Sequence, residues 1–296
     1  GRAHAVTRVD LRGLTFEQAG SDAHCAVARV DRARVVSEVT LRDGALDAAS
    51  VTGRLDDASL RSGRVRGRAD VSFDVSLRER QAAEPRLLVT NASLSRLELD
   101  DGQTSPRRVR VRVPEATLSA RVTEREGVLS GAIELGAKRA RLRVGAIPAA
   151  LDLHTKLALE RIEPASKKAL LGASLRIRNA TTSVDGSKVE GYWANVDLGR
   201  VRIGMNEELE LDGSFSARLR DGVPGLLLLE HQDQVPGWLE ELLPMRALRV
   251  HGRIERRCRI TDFRLESASG GPLEARGRLQ ATPRGTRGAL LVTLSG

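Results

Sequence analysis

The sequence VRGRADVSFDVSL at residues 65–77 decides the fold class, because apolar and polar residues alternate strictly along it. Its odd-numbered positions carry Val, Gly, Ala, Val, Phe, Val and Leu, whereas its even-numbered positions carry only Arg, Asp and Ser. Successive side chains of a β-strand point to opposite faces, so this stretch predicts a strand with one apolar and one polar face. A helix of the same sequence would spread its charges around the whole circumference.

The same alternation recurs along most of the chain. Residues 107–113 read RRVRVRV, and residues 209–219 read LELDGSFSARL. Asp-Gly dipeptides, which favour two-residue hairpin turns, separate several of these runs. They lie at residues 43–44, 101–102, 185–186 and 221–222. Strands joined by tight turns, without long helices between them, predict an all-β fold with an antiparallel sheet.

Aromatic residues make up only 2% of the 296 residues. A compact β-sandwich normally uses aromatic side chains to fill the space between its two sheets. An aliphatic sheet with so few aromatics instead predicts an elongated, curved antiparallel sheet, a β-groove whose concave apolar face encloses a ligand. Burial of one CH₂ group is worth about 0.8 kcal/mol, so the ligand expected there is an acyl chain.

The predicted lipid-binding groove consists of the apolar alternate positions of these strands. They are Val65, Val71, Phe73, Val75, Leu77, Val109, Val111, Val113, Leu118, Val122, Ile133, Leu135, Leu142, Val144, Leu157, Leu159, Leu175, Ile177, Leu209, Leu211, Phe215 and Leu219. Arginine side chains at the rim of such a groove are suited to bind a lipid phosphate. Phospholipid or another acyl lipid is therefore the expected partner.

The chain carries 48 basic and 39 acidic residues, a formal net charge of +9. A basic surplus favours anionic partners such as phospholipid head groups or nucleic acid. Proteins that bind single-stranded nucleic acid combine basic stripes with stacking aromatic side chains. The arginine-rich stretches at 64–68 and 107–112 contain no aromatic residue, so we expect no nucleic-acid partner.

Two segments interrupt the alternation and predict short helices. Residues 164–171, PASKKALL, begin with Pro and are followed by Gly172, as at the two ends of a helix. Residues 223–244 contain three prolines around Leu-rich stretches, and the helical insert is predicted at 224–243. Such helices either pack over one end of the sheet or form a lid on the groove. The residues predicted at this groove end or lid are Leu227, Leu228, Trp238, Leu239 and Leu242.

Motifs for catalysis or metal binding are absent from the sequence. It contains no P-loop and no GxGxxG, GxSxG or HExxH motif, which carry much of the known nucleotide and hydrolytic chemistry. Its five histidines are scattered, and no CxxC or HxH pair is present, although such short spacings are typical of zinc sites. We therefore expect no enzymatic activity, no metal and no cofactor.

Residues 200–296 combine amphipathic strands with the insert PGLLLLEHQDQVPGWLEELLP and end in the sequences GPLEARGRL and GALLV. This combination resembles the C-terminal part of bacterial AsmA-like proteins. The resemblance implies a taco-shaped β-groove of the bridge-like lipid-transfer type, which carries phospholipid across the periplasm towards the outer membrane. It also implies tethering to the inner membrane, by a segment that this sequence does not contain or by partner proteins, and a larger envelope-spanning assembly.

The expected organisation is a single elongated β-groove domain over residues 1–296, with a candidate hinge near 160–172 and the helical insert at 223–244. Its expected function is the binding and transfer of phospholipid or another acyl-chain lipid in the bacterial cell envelope. The alternative is a structural or interaction β-scaffold that has no lipid ligand. In that case the apolar side chains would pack only against one another.

Overall fold

Every regular element that the computed structural model describes is a β-strand. The structure describes residues 1–18, 26–78, 86–103, 108–184, 187–205, 209–221, 247–257, 260–270, 273–282 and 285–294. Within these ranges the chain forms fifteen strands and no helix. The prediction of an all-β fold is confirmed.

The fifteen strands are each between ten and nineteen residues long. They are β1 (Arg2–Gln18), β2 (Ala26–Arg42), β3 (Ala45–Ser62), β4 (Val65–Arg78), β5 (Arg86–Asp100), β6 (Val109–Arg125), β7 (Val128–Val144), β8 (Ile147–Glu163), β9 (Lys168–Val184), β10 (Ser187–Met205), β11 (Leu209–Leu219), β12 (Leu248–Arg257), β13 (Ile260–Gly270), β14 (Leu273–Thr282) and β15 (Gly285–Leu294).

The described strands form one sheet in which the spatial order of the strands equals their order in the sequence. The sheet is open, with β1 and β15 at its two edges. The neighbouring pairs from β1 to β6 and from β9 to β15 are all antiparallel. The antiparallel meander predicted from the sequence is therefore confirmed for these strands.

Two-residue turns connect several hairpins where the sequence places a turn dipeptide. Asp43 and Gly44 lie between β2 and β3 with φ angles of +52° and +81°. Glu126 and Gly127 lie between β6 and β7 with φ angles of +54° and +77°. Positive φ at both central residues is the geometry of the turn whose twist matches that of the flanking strands. The predicted turn at residues 185–186 lies outside the described residues.

The predicted helix at residues 164–171 is wrong. Strand β8 ends at Glu163 and β9 begins at Lys168, so residues 164–167 form a hairpin turn. The backbone N–H of Lys167 donates a hydrogen bond of 3.2 Å to the carbonyl oxygen of Pro164. Proline and serine favour turns as well as helix starts, and the backbone of residues 168–171 is paired with β10 instead. Cross-strand pairing therefore overrides the local helix signal.

The predicted helical insert at 224–243 lies outside the described residues. The same holds for the residues predicted at the groove end or lid, which are Leu227, Leu228, Trp238, Leu239 and Leu242. Their predicted structure stays a prediction.

The chain divides into two compact units. Unit 1 comprises Gly1–Glu126 and Gly131–His154, and unit 2 comprises Gly127–Ser130 and Thr155–Gly296. The prediction of a single elongated domain with a hinge near 160–172 stays a prediction.

Candidate functional site

The strand register of unit 1 collects aliphatic residues on one face of the sheet. Directly opposed residues of antiparallel strands project from the same face, so a row of opposed residues across β1–β6 shares one face. One row consists of Val9, Val35, Gly53, Phe73, Ala92 and Leu118, and the next of Leu11, Ala33, Leu55, Val71, Leu94 and Ala116. A third consists of Ala5, Val39, Ala49, Leu77, Leu88 and Val122. We call the side of unit 1 that carries these three rows the apolar face.

The structure brings many of the predicted groove residues together on this apolar face. Those in the rows, or in register with them along the same strands, are Val71, Phe73, Val75, Leu77, Val111, Val113, Leu118 and Val122. Val65 is different, because it lies at the end of β4 opposite Ser62 and is 48% exposed. Their role in ligand binding stays a prediction.

The other predicted groove residues lie on strands β6 to β11. Val109 lies on β6, and Ile133, Leu135, Leu142 and Val144 lie on β7. In unit 2, Leu157 and Leu159 lie on β8, and Leu175 and Ile177 on β9 are opposed to Val196 and Ala194 of β10. Leu211, Phe215 and Leu219 on β11 are opposed to Ile203, Leu198 and Ala194 of β10. The side chains of Val144 and Leu209 lie outside the described ones.

The alternation of apolar residues breaks near the middle of several strands of unit 1. On β3, Leu55 opposes Val71 of β4, but the next apolar position is Ala58, three residues later, opposite Ala69. Asp57, one of the two residues between them, has a φ angle of +55°, and Arg96 on β5 and Arg139 on β7 have φ angles of +54° and +53°. An extra residue in the left-handed conformation produces a β-bulge, which bends the strand and increases its twist.

Burial in unit 1 is concentrated along this line of bulges. Apart from Ile147, every buried hydrophobic residue described in unit 1 lies next to a break in the alternation, and most of these residues are Ala. They are Val30, Ala33, Ala69, Val113, Ala116, Ala137 and Ala140, each between 3% and 8% exposed. We call this set the seam. Four of them form one cluster, against which the larger side chains of Leu94, Leu97, Val111 and Leu153 pack.

Carboxylates on the neighbouring strands fix the bulges of the seam. The backbone N–H of Asp57 donates to Oδ1 of Asp70 at 2.9 Å, and Nε of Arg96 donates to Oδ2 of Asp70 at 2.6 Å. The N–H of Arg139 donates in the same way to Oδ1 of Asp152 at 2.8 Å. In both hairpins the carboxylate lies thirteen residues after the bulge residue. These hydrogen bonds lower the pKa of Asp70, and the one from the backbone of Asp57 has a larger effect than the one from Arg96.

Away from the seam, the apolar face is only partly covered. Val9 and Leu88 are 39% and 37% exposed. Among the described residues no large side chain is fully buried. A second packed layer would bury such side chains almost completely. The described part of unit 1 therefore presents an aliphatic surface that no other described element of this unit covers.

Unit 2 repeats the break in alternation on β10. Leu198 and Val201 are three residues apart and oppose Ala173 and Leu171 of β9, with Arg200 between them at a φ angle of +30°. Val201 is 2% exposed, the lowest value among the described hydrophobic residues. Burial of an aliphatic residue beside a bulge is therefore present in both units.

A cluster of polar contacts stabilises the chain directly after the end of β11. The hydroxyl of Tyr192 donates to the backbone oxygen of Asp221 at 3.2 Å, and Nε of Arg220 donates to the carboxylate of the same Asp221 at 2.6 Å. The guanidinium of Arg220 lies 5.5 Å from the centroid of the Tyr192 ring, within reach of a cation–π contact. Burial raises the pKa of Tyr192. These contacts fix the chain at residue 221 in unit 2.

The opposite side of the sheet carries cross-strand ion pairs. Arg32 pairs with Asp10 at 2.8 Å, Arg112 with Glu98 at 3.1 Å, and Arg253 with Asp212 at 3.2 Å. Each exposed pair contributes little to stability. Their regular occurrence on one side of the strands defines a hydrated polar face, as the alternating sequence predicts.

Side chains that could bind a metal ion do not cluster in the described parts of the chain. No group of three His, Cys, Asp or Glu residues there is arranged to hold a metal ion. No helix within the same ranges is long and apolar enough to cross a membrane. The absence of enzymatic activity and of a cofactor stays a prediction.

Comparisons with known proteins, made against family models, curated proteins and solved structures, found no match for this chain. The resemblance to AsmA-like proteins therefore stays a hypothesis.

The seam is the feature that the sequence prediction missed. Its alanines, such as Ala116 and Ala137, are too small to stand out as ligand-binding residues. A signal for them is nevertheless present, because the apolar residues of β6 fall on odd numbers up to Val113 and on even numbers from Ala116. Such a change of phase within one strand indicates a bulge.

Proposed function

We propose that the apolar face binds the acyl chains of phospholipid or of another lipid. The observation that carries this proposal is the set of aliphatic rows across β1–β6, most of whose side chains stay partly exposed, with no described element of unit 1 packed over them. Large uncovered apolar surfaces on proteins mark binding sites for apolar partners. The alternative, a β-scaffold without a ligand, requires these side chains to be covered by protein.

The energetics favour a hydrocarbon ligand. Burying one CH₂ group contributes about 0.8 kcal/mol, so a sixteen-carbon chain gains on the order of 12 kcal/mol when it leaves water. The rows offer few hydrogen-bonding side chains, since they consist of Val, Leu, Ala, Gly and Phe. Such a surface holds a chain without fixing it at one position, which is suited to a lipid that moves along the protein.

The seam forms the floor of the proposed groove. Bulges bend the strands there. In this proposal the bend turns the apolar surfaces on its two sides towards each other and so forms the groove. Neighbouring strands lie about 4.8 Å apart, so the seam, which runs from β2 to β7, is roughly 24 Å long within unit 1.

Transfer of the bound lipid in a bacterial cell envelope is the wider proposal. It rests on the resemblance of residues 200–296 to AsmA-like proteins, which implies a periplasmic location, tethering to the inner membrane by a segment outside this sequence and partners in a larger assembly. The groove accounts for lipid binding without this wider context, so the two parts of the proposal are tested separately.

Native mass spectrometry of the purified chain, combined with lipid extraction, tests the binding proposal. The groove predicts that phospholipid or another acyl lipid copurifies with the folded protein and is released on unfolding. A folded protein that carries no lipid, and that takes up none from detergent-solubilised phospholipid, supports the scaffold alternative.

A further inference from the structure

We infer that a basic cleft of unit 1 binds a phosphate-class oxyanion. The cleft has a volume of about 440 Å³ and is lined by the side chains of four arginines, Arg68, Arg96, Arg112 and Arg141. Three carboxylates, Asp57, Asp70 and Glu98, also line it. The inference does not depend on the binding of acyl chains.

Each of the three carboxylates is already paired with one arginine. Arg68 pairs with Asp57, Arg96 with Asp70, and Arg112 with Glu98 at 3.1 Å. Arg141 is the fourth arginine of the cleft, and no carboxylate within the described ranges pairs with it. The lining therefore has one more positive than negative charge, and that charge belongs to an exposed guanidinium.

The surrounding strands add positive charge and little acid. The backbone N–H of Gly145 donates to the carbonyl oxygen of Arg108 at 2.8 Å, which places the end of β7 beside the start of β6. The sequences RVRVRV at 108–113 and KRARLRV at 138–144 therefore run next to each other. The carboxylate of Asp100 already forms ion pairs with both Arg108 and Arg110. Like charges on neighbouring strands destabilise the sheet, and a bound anion relieves this repulsion.

The chemistry of the lining selects an oxyanion. A guanidinium presents a planar fork of N–H donors that matches two oxygens of a phosphate. The rest of the cleft is lined by Ala69, Leu97, Val113 and Pro114, whose side chains are all apolar and offer no hydrogen-bond donor. The ligand class is therefore a phosphate or a phosphate ester, supplied either as free phosphate or as the head group of a phospholipid.

Titration calorimetry of the full chain with inorganic phosphate tests the inference, at an ionic strength kept constant with chloride. Wild-type protein should bind phosphate saturably. Arg141→Gln should weaken binding roughly tenfold, the effect of losing one hydrogen-bonded charge. Arg143→Gln is the matched control, because Arg143 lies two residues further on the same strand and outside the lining, and it should lose clearly less affinity than the Arg141→Gln protein. Arg141→Lys, which keeps the charge, should retain part of the affinity.

Several results would overturn the inference. They are the absence of saturable binding to wild-type protein, equal losses in the Arg141→Gln and Arg143→Gln proteins, and unchanged affinity in Arg141→Gln protein. A second titration with glycerol 3-phosphate distinguishes the sources: tighter binding than that of inorganic phosphate assigns the cleft to lipid head groups, and equal or weaker binding assigns it to free phosphate. Circular dichroism of each variant confirms that the compared proteins are folded.

Discussion

The ring of Phe73 on β4 lies over the backbone of Gly53, its directly opposed partner on β3. A Cβ atom on Gly53 would lie only 2.8 Å from Cε1 of that ring. In unit 2 the ring of Phe215 covers Gly252 in the same way, with 2.8 Å between Cζ and the position of a Cβ. An aromatic ring over a cross-strand glycine replaces the missing side chain and shields the exposed backbone. Two of the four phenylalanines in the chain are used for this pairing.

Replacing this glycine should displace the ring. Gly53→Ala is expected to lower the free energy of unfolding by about 1–3 kcal/mol, because the added methyl group overpacks the contact with Phe73. The matched control is Gly172→Ala, since a Cβ at Gly172 meets its nearest neighbour at 3.5 Å and this substitution reduces the entropy of the unfolded chain. Urea unfolding of both variants measures the difference. Equal stability of the two variants would contradict the pairing.

The seam should depend on the carboxylate of Asp70. Asp70→Ala removes the acceptor for the backbone N–H of Asp57 and the partner of Arg96, and leaving such a donor unsatisfied costs about 1–3 kcal/mol. Asp74→Ala on the same strand is the control, because Asp74 is exposed, and its effect should stay within about 0.5 kcal/mol. Hydrogen exchange at Asp57 should accelerate in the Asp70→Ala protein alone. Unchanged exchange there would show that the bulge forms without this contact.

Acid should weaken the hairpin around Asp100. The pKa of Asp100 is held far below its usual range. The larger cause is the hydrogen bond from Arg108, and the next is the hydrogen bond from the backbone N–H of Gly102. The unfolded chain has a pKa of about 3.9 for aspartate, so the stabilisation is fully present above that pH and is lost as the pH falls towards the folded value. Asp100→Asn should therefore reduce the loss of stability below pH 4, measured as the thermal midpoint against pH. An identical pH profile of the two proteins would contradict this assignment.

The strand positions and the apolar face were largely predictable from sequence. The alternation at 65–77 and the turn dipeptide at 43–44 depend on local chemistry alone, and the structure follows both. The helix prediction at 164–171 was wrong for the opposite reason. Its Pro and Gly signals are local, whereas the pairing of Leu171 with Val201 of β10 depends on residues thirty positions away.

The seam could not be predicted from the sequence of any single strand. The change of phase between Val113 and Ala116 is visible in the sequence, yet its meaning appears only when neighbouring strands show breaks in register with it. Arg96 and Asp57 also adopt the left-handed conformation although neither is a glycine, the residue that usually marks such a position in a sequence. Their conformation is stabilised across strands by Asp70, a contact that no spacing rule identifies.

Binding of a fluorescent fatty acid to a matched pair of variants tests the acyl groove most directly. Val71 lies on the apolar face between Leu55 and Leu94, whereas its neighbour Ser72 is exposed on the opposite face beside Arg54. Val71→Glu and Ser72→Glu thus add the same charge to the two sides of one strand. The groove predicts that Val71→Glu weakens binding at least about tenfold, because the carboxylate must be desolvated beside the chain, and that Ser72→Glu binds like the wild type. Equal binding by the two folded variants would contradict it.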